Sequence, residues 1–424
     1  MAFLNTKSAL QFSPRRNLLS HTNHNIARRS LLLCGILLSG GTTILPRPVL
    51  GILFFSFAIA HLWIVNGPVK RVDFRISLWI SLIAAIGVFR FSNHEATALA
   101  TRLINFFAGL LLLQAYSGKD RGLLMKDLEW LTYPMVYQAI ITVILAAVAA
   151  PLFFNLTIDD QNLSTAFLLF NYHATLEDGG NFVRPDGFFW EPGVLQLYLN
   201  IFLYISLFIS RNTKRSILGL LGVAATQSTT GAVIAAILIG ANFFARMRTA
   251  PVRRRRMVLV TGVILAIPVI FFVYQNLMDK LLGEGTGSFL VRQYDLLTAI
   301  NIIAENPLIG IGFSKENYTD SARLLGFSDS PLGEAFFEER TGTSNGIAQL
   351  FYAIGIPLGF YALIGIIRQR HFPNKKIFSL MILIGLFGEA LVFTPFISMI
   401  IFSGMYRESH FANPHRRKIS TPAP

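Results

Sequence analysis

The sequence predicts an all-α, polytopic integral membrane protein with about twelve transmembrane helices and two long external loops. Three observations carry that prediction. Hydrophobic residues make up 53% of the chain and charged residues only 14%, with mean hydropathy +0.53, a balance far more apolar than that of soluble domains. Apolar stretches of roughly twenty residues recur, the length that a helix rising about 1.5 Å per residue needs to cross a hydrocarbon core of about 30 Å. Finally, 28 of the 37 Lys and Arg fall on one side of the resulting layout, as expected if cytoplasmic loops hold the basic residues.

Taken in order, residues 1–30 form a basic N-terminus on the cytoplasmic side. Spans follow at 31–46, 48–66, 75–91, 97–117 and 131–154, separated by connections such as Lys70-Arg71 and Lys119-Asp120-Arg121. Residues 155–186 make the first long external loop. A central group occupies 187–210, 216–228, 231–245 and 257–276, interrupted by Arg211, Lys214 and Arg215 and by the run Arg253 to Arg256. The short seventh and eighth spans meet at Ser228-Thr229-Thr230-Gly231, which suits a re-entrant hairpin buried in protein.

Residues 277–344 make the second long loop. Within it Gly283 to Gly287 is flexible chain, and Ser288 to Glu305 predicts a helix lying against the membrane, because Phe289, Leu290, Leu296, Leu297, Ile300 and Ile303 recur at helical spacing. Arg292 rides on that helix. Asn306 to Phe313 is a turn-rich apolar return, forced out of regular helix by Pro307, Gly310 and Gly312. Spans at 345–367, 377–393 and 395–406 and a cytoplasmic tail, 407–424, complete the layout.

A net charge of +14 invites a nucleic-acid reading, but these charges are dispersed among short loops between apolar spans and describe orientation instead. Cys34 is the only cysteine, so no internal disulfide forms. It follows Leu33, where a lipoprotein signal needs a small residue, so the first apolar stretch reads as a retained helix.

The chemistry concentrates at Arg184-Pro185-Asp186-Gly187-Phe188-Phe189-Trp190-Glu191-Pro192-Gly193, where a span enters lipid and an ionisable group is a functional candidate. Phosphate-binding loops, Cys/His metal patterns and an aspartate pair of the D-x-D type are missing from the sequence, so neither a nucleotide nor a metal cofactor is indicated. A membrane enzyme without them needs a substrate carrying its own leaving group. Lipid diphosphates do, and arginine's planar fork matches their oxygens. Glu191, seven residues after Arg184, is the first candidate base, with Glu338 and Glu339 behind it. Phe188, Phe189 and Trp190 offer apolar faces to sugar rings, and Arg340 is a further candidate phosphate contact.

Each assignment has a structural competitor. Arg184 and Arg292 can anchor helix ends at the interface, the aromatics can form an interfacial belt, and Arg340 can be a solvated loop charge. Glu191 can cap a helix. Arg102 and Glu389 lie at similar depth in their spans, which suggests either an ion pair between them or one wall of the substrate cavity, the ion pair being favoured.

The run Arg184 to Gly193, the Arg292 helix ending in Asn306 to Phe313, and Thr343-Ser344-Asn345-Gly346 opening the tenth span together resemble the O-antigen polymerase and ligase superfamily. Ser228-Thr229-Thr230-Gly231 fits as well, and the resemblance covers order and topology over residues 180–367. It implies a bacterial inner-membrane protein acting on polyprenyl-diphosphate-linked glycans at the periplasmic face. A chain-length regulator and a flippase of the same pathway are the protein partners it implies. In that superfamily an arginine from each long loop handles the diphosphate, which maps onto Arg184 and Arg292. Asn345, with Phe189, Trp190 and Arg340, completes the substrate-binding set. The ligase branch carries a histidine immediately before the asparagine, whereas this chain has Ser344, which favours a polymerase of the O-antigen or exopolysaccharide type over a ligase. The rivals from other classes are a transporter of lipid-linked glycans, whose sites usually lie near the midplane, and a non-catalytic assembly subunit.

Overall fold

The computed structural model describes residues 14–42, 45–65, 72–90, 96–117, 121–158, 161–174, 183–249, 286–324 and 342–406, with residues 251, 271, 274 and 278. Five helices come first: α1 (Pro14–Gly40), α2 (Arg47–Val65), α3 (Phe74–Phe89), α4 (Ala96–Tyr116) and α5 (Arg121–Val148). A four-stranded sheet follows, with β1 (Phe154–Ile158), β2 (Gln161–Ala166), β3 (Phe170–Ala174) and β4 (Val183–Pro185). The second half is helical again: α6 (Pro192–Phe208), α7 (Thr213–Ala225), α8 (Thr229–Thr249), α9 (Thr286–Glu305), α10 (Lys315–Leu324), α11 (Gly346–Ile367), α12 (Lys375–Gly388) and α13 (Pro395–Met405).

The membrane reading stands in its coarse form. Helices α4, α5, α8 and α11 are long and apolar enough to cross a membrane, and shorter apolar helices lie within α2, α3, α6 and α13. The count of twelve is not reached among the described residues, and the span expected at 257–276 lies almost wholly outside them. The eighth segment is a full-length helix, α8, and not half of a short hairpin.

At the centre sits α6, in which every residue from Gly193 to Leu207 is buried. A helix apolar all round belongs in a core, and α5, α7, α8 and α12 pack around it. Its few polar residues are used internally: Asn200 Nδ2 donates to Gln196 Oε1 at 3.0 Å and to the Gly231 carbonyl at 3.2 Å, tying α6 to the start of α8. Helix α13 is buried in the same way and packs on α4, α11 and α1. The outer helices turn large apolar side chains such as Trp63, Phe74, Phe89 and Val148 outward, the pattern of a surface solvated by lipid.

The all-α expectation needs one correction, because the first long loop folds as an antiparallel meander in the order β1-β2-β3-β4. Its register pairs Phe154 with Thr165, Thr165 with Asn171 and His173 with Arg184. The side chain of Asn171 then fastens the meander to the next turn: its Nδ2 donates to the Gly187 carbonyl at 3.0 Å while its Oδ1 accepts from Thr165 Oγ1 at 2.6 Å. Because residues 186–190 are held in that turn, α6 starts at Pro192, five residues later than the sequence periodicity predicts. Proline is favoured there, since its missing N–H is one that a helix start leaves unbonded anyway.

Helix α11 contains a break at Gly355, whose φ is 76°. Pro357 has no N–H to give the Ala353 carbonyl, and the Ile356 N–H turns away to the Pro307 carbonyl at 2.8 Å. The carbonyls of Tyr352 and Ala353 accept instead from Ile311 N and Gly312 N at 2.8 and 3.0 Å. The turn-rich segment predicted at 306–313 therefore docks into the gap in α11. Glycine is required at 355, because a side chain would collide with the Leu308 backbone.

Candidate active site

The site is assembled where the N-termini of α6, α8 and α11 meet the C-terminus of α12. Glu389 follows α12 in extended conformation, and three small-residue approaches surround it. Its carboxyl rests on Gly193, where any side chain would collide with it; its carbonyl lies against Gly346; and Gly388 lies against Thr230. The motifs Glu-Pro-Gly, Thr-Ser-Asn-Gly and Ser-Thr-Thr-Gly thus converge on this segment because Gly193, Gly346 and, on α12, Gly388 leave room for close approach. Partial positive charge accumulates at such helix starts.

Glu191 occupies the N-cap position of α6 by backbone geometry but makes no side-chain cap bond. Its carboxyl instead lies close enough to that of Glu389 for the two to act on each other as like charges. Arg292 and Arg184 both act on Glu389 as neighbouring positive charges. Two arginines, from β4 and α9, and the N-cap carboxyl of α6 therefore lie within electrostatic reach of the carboxyl in the α12–α13 connection.

Glu389 is the member whose partner sequence reasoning misjudged. Its neighbours are Glu191, Arg292 and Arg184, while Arg102 lies over the Phe393 ring at 5.9 Å and beside Tyr352 and Arg47. Similar depth along two helices said nothing about their rotation. Asp295 went unnoticed altogether. It is fully buried one turn after Arg292 and accepts from Ser344 N at 3.0 Å and Ser344 Oγ at 3.1 Å. The available signal was its spacing of three from Arg292, which puts both on one stretch of α9.

The remaining sequence candidates separate. Asn345 is buried, and its side-chain oxygen accepts from Ile347 N and Ala348 N at 3.0 Å each, so it caps α11. Phe189 is fully buried, stacks on Tyr198 at 5.0 Å and packs against Gly40, which withdraws it from the sugar-binding set; Phe188 packs against the same core. Trp190 is half-buried beside Gly41 and keeps a partly open face. Arg340, Glu338 and Glu339 lie outside the described residues.

Comparison with known proteins gives one finding. Residues 216–363 match the model of the family described as O-antigen ligase. The matched stretch holds Ser228 to Gly231, Arg292, Asp295 and Thr343 to Gly346, whereas Arg184, Glu191 and Glu389 flank it. No curated protein and no solved structure matches the chain. Over residues 216–363, about a third of its length, this membrane protein is therefore similar to the O-antigen ligase family, in the stretch that holds three of the motifs described above.

Proposed function

We propose that this protein is a polysaccharide polymerase that joins oligosaccharide repeat units carried on polyprenyl diphosphate at the periplasmic face of the inner membrane. An acceptor hydroxyl bonds to the anomeric carbon of the donor glycan. The bond from that carbon to the diphosphate oxygen breaks, and its electron pair leaves with the polyprenyl diphosphate. The hydroxyl proton passes to the Glu191/Glu389 pair. Arg184 and Arg292 neutralise the charge that builds on the departing oxygens, an effect worth roughly 3–4 kcal/mol for one well-placed donor. Trp190 offers an apolar face to a sugar ring.

The single observation that carries this reading is that Glu191, Arg184 and Arg292 all lie within electrostatic reach of Glu389. A ligase transferring finished glycan to a lipid or protein acceptor is the second reading, favoured by the description of the matched family. Against it stands Ser344, in the place where the ligase branch carries a histidine: its hydroxyl is bonded to Asp295.

Glycan analysis of cells lacking the protein separates the two. Single repeat units transferred to their final acceptor but never extended are expected for a polymerase. Full-length glycan stranded on polyprenyl diphosphate would establish the ligase, and repeat units stranded on the cytoplasmic leaflet would establish a transporter. Arg184→Ala and Arg292→Ala at matched membrane levels are expected to reproduce the deletion.

A further inference from the structure

The turn between β2 and β3 is built in a way that water does not favour. Ala166 pairs with Phe170, so residues 167–169 close a tight turn, with Leu169 N donating to the Ala166 carbonyl at 3.2 Å. Phe167 and Leu168 hold φ of 55° and 57°. Bulky L-residues seldom adopt that left-handed region, and tight hairpins ordinarily fill it with Gly, Asn or Asp. The same turn leaves Phe167 66% exposed, Leu168 50% and Leu169 46%. The backbone conformation carries its steric cost in any solvent, but the exposure of three large apolar side chains is unfavourable specifically in water.

Its position resolves this. The Leu169 carbonyl accepts from the side chain of Gln138, ten residues before the end of α5 at Val148. That is about 15 Å along the helix from its sheet-side end, and α5 is long and apolar enough to cross a membrane. Strands β3 and β4 pack along the same helix, and the turn at Gly187 comes close to the same Gln138 side chain. The hairpin tip therefore lies beside α5, well inside the length of a helix long and apolar enough to cross a membrane. In hydrocarbon a backbone acceptor needs a protein partner, and Gln138 supplies it.

We propose that Phe167, Leu168 and Leu169 are immersed in the acyl chains of the leaflet on the sheet's side. They form an apolar foot that seats the meander. Through the Asn171 bond to Gly187, the foot also fixes the height of the Arg184 strand and the turn that precedes Glu191. This inference concerns contact with lipid and does not depend on which glycan reaction the site performs.

The test uses a Cys34→Ala background, since Cys34 is the only cysteine, in phosphatidylcholine vesicles. Phe167→Cys and Leu168→Cys are compared with Thr157→Cys, near the opposite end of the sheet. An impermeant maleimide is expected to label the two tip variants at least tenfold more slowly than Thr157→Cys. An environment-sensitive fluorophore at either tip position is expected to be quenched by lipids carrying nitroxide on the acyl chain. Labelling at the Thr157→Cys rate would overturn the proposal by placing the tip in water. Protection without nitroxide quenching would also overturn it, because a protein partner or a second copy would then cover the tip.

Discussion

At the scale of single residues, the closeness of Glu191 to Glu389 makes a specific demand on kinetics. Two groups that handle one proton act as a unit, so their substitutions are not additive. Glu191→Gln and Glu389→Gln are each expected to lower polymerisation by about 10²–10⁴-fold, the usual contribution of general acid–base catalysis. The double variant should be no worse than the poorer single one. Multiplicative losses measured with lipid-linked repeat units would show two independent roles.

A second residue-scale expectation concerns stability. Asp127 is fully buried and accepts from Arg28 Nε at 2.7 Å, Arg29 Nε at 2.8 Å and the Tyr116 hydroxyl at 3.0 Å. Removing one partner of a buried ion pair strands the other, typically at a cost of about 3–5 kcal/mol. Asp127→Ala should therefore lower thermal stability in detergent severely. Arg215→Ala, which breaks the more exposed 2.6 Å pair with Glu129, should cost no more than about 1 kcal/mol.

At the scale of elements, the break in α11 and the 306–313 segment stabilise each other: one lacks helical donors and the other supplies N–H groups from outside. Gly355→Ala imposes a left-handed φ on a residue with a side chain and drives that side chain against Leu308. A loss of roughly 1–3 kcal/mol is expected from the conformation alone, read as a lowered unfolding temperature or faster proteolysis of the loop. Gly355→Asn should fare no better, because ψ of 167° puts this residue in a region open essentially to glycine alone and not in the left-handed helical region that asparagine tolerates. Legibility differs among these elements. The return segment was readable as a turn because Pro307, Gly310 and Gly312 punctuate it, but its docking partner was not, since a hydrogen bond to α11 depends on contacts about forty residues apart. The meander escaped prediction for a related reason: its strands are short, and the pairing that stabilises them is lateral.

At the scale of the molecule, α6 and α13 form a buried centre, and the outer helices present apolar surface outward. The basic connection after α6, Arg211 to Arg215, lies at the opposite end of that helix from Glu191. With an impermeant reagent on intact spheroplasts, Thr157→Cys is expected to react. Lys214→Cys should react only after permeabilisation; the reverse pattern would invert the proposed orientation. The amino-acid sequence by itself determined the membrane class, most helix positions, the charge asymmetry and the grouping of Arg184, Glu191 and Arg292 as candidates. Those properties depend on composition and on periodicity along one helix, which are local. Only the tertiary structure decided that Glu389 faces Glu191 and the arginines, that Asp295 holds Ser344, that Phe189 is core and that Asn345 is a cap. Each of those depends on how helices rotate and which glycines let them approach, and neither is set until the whole bundle packs.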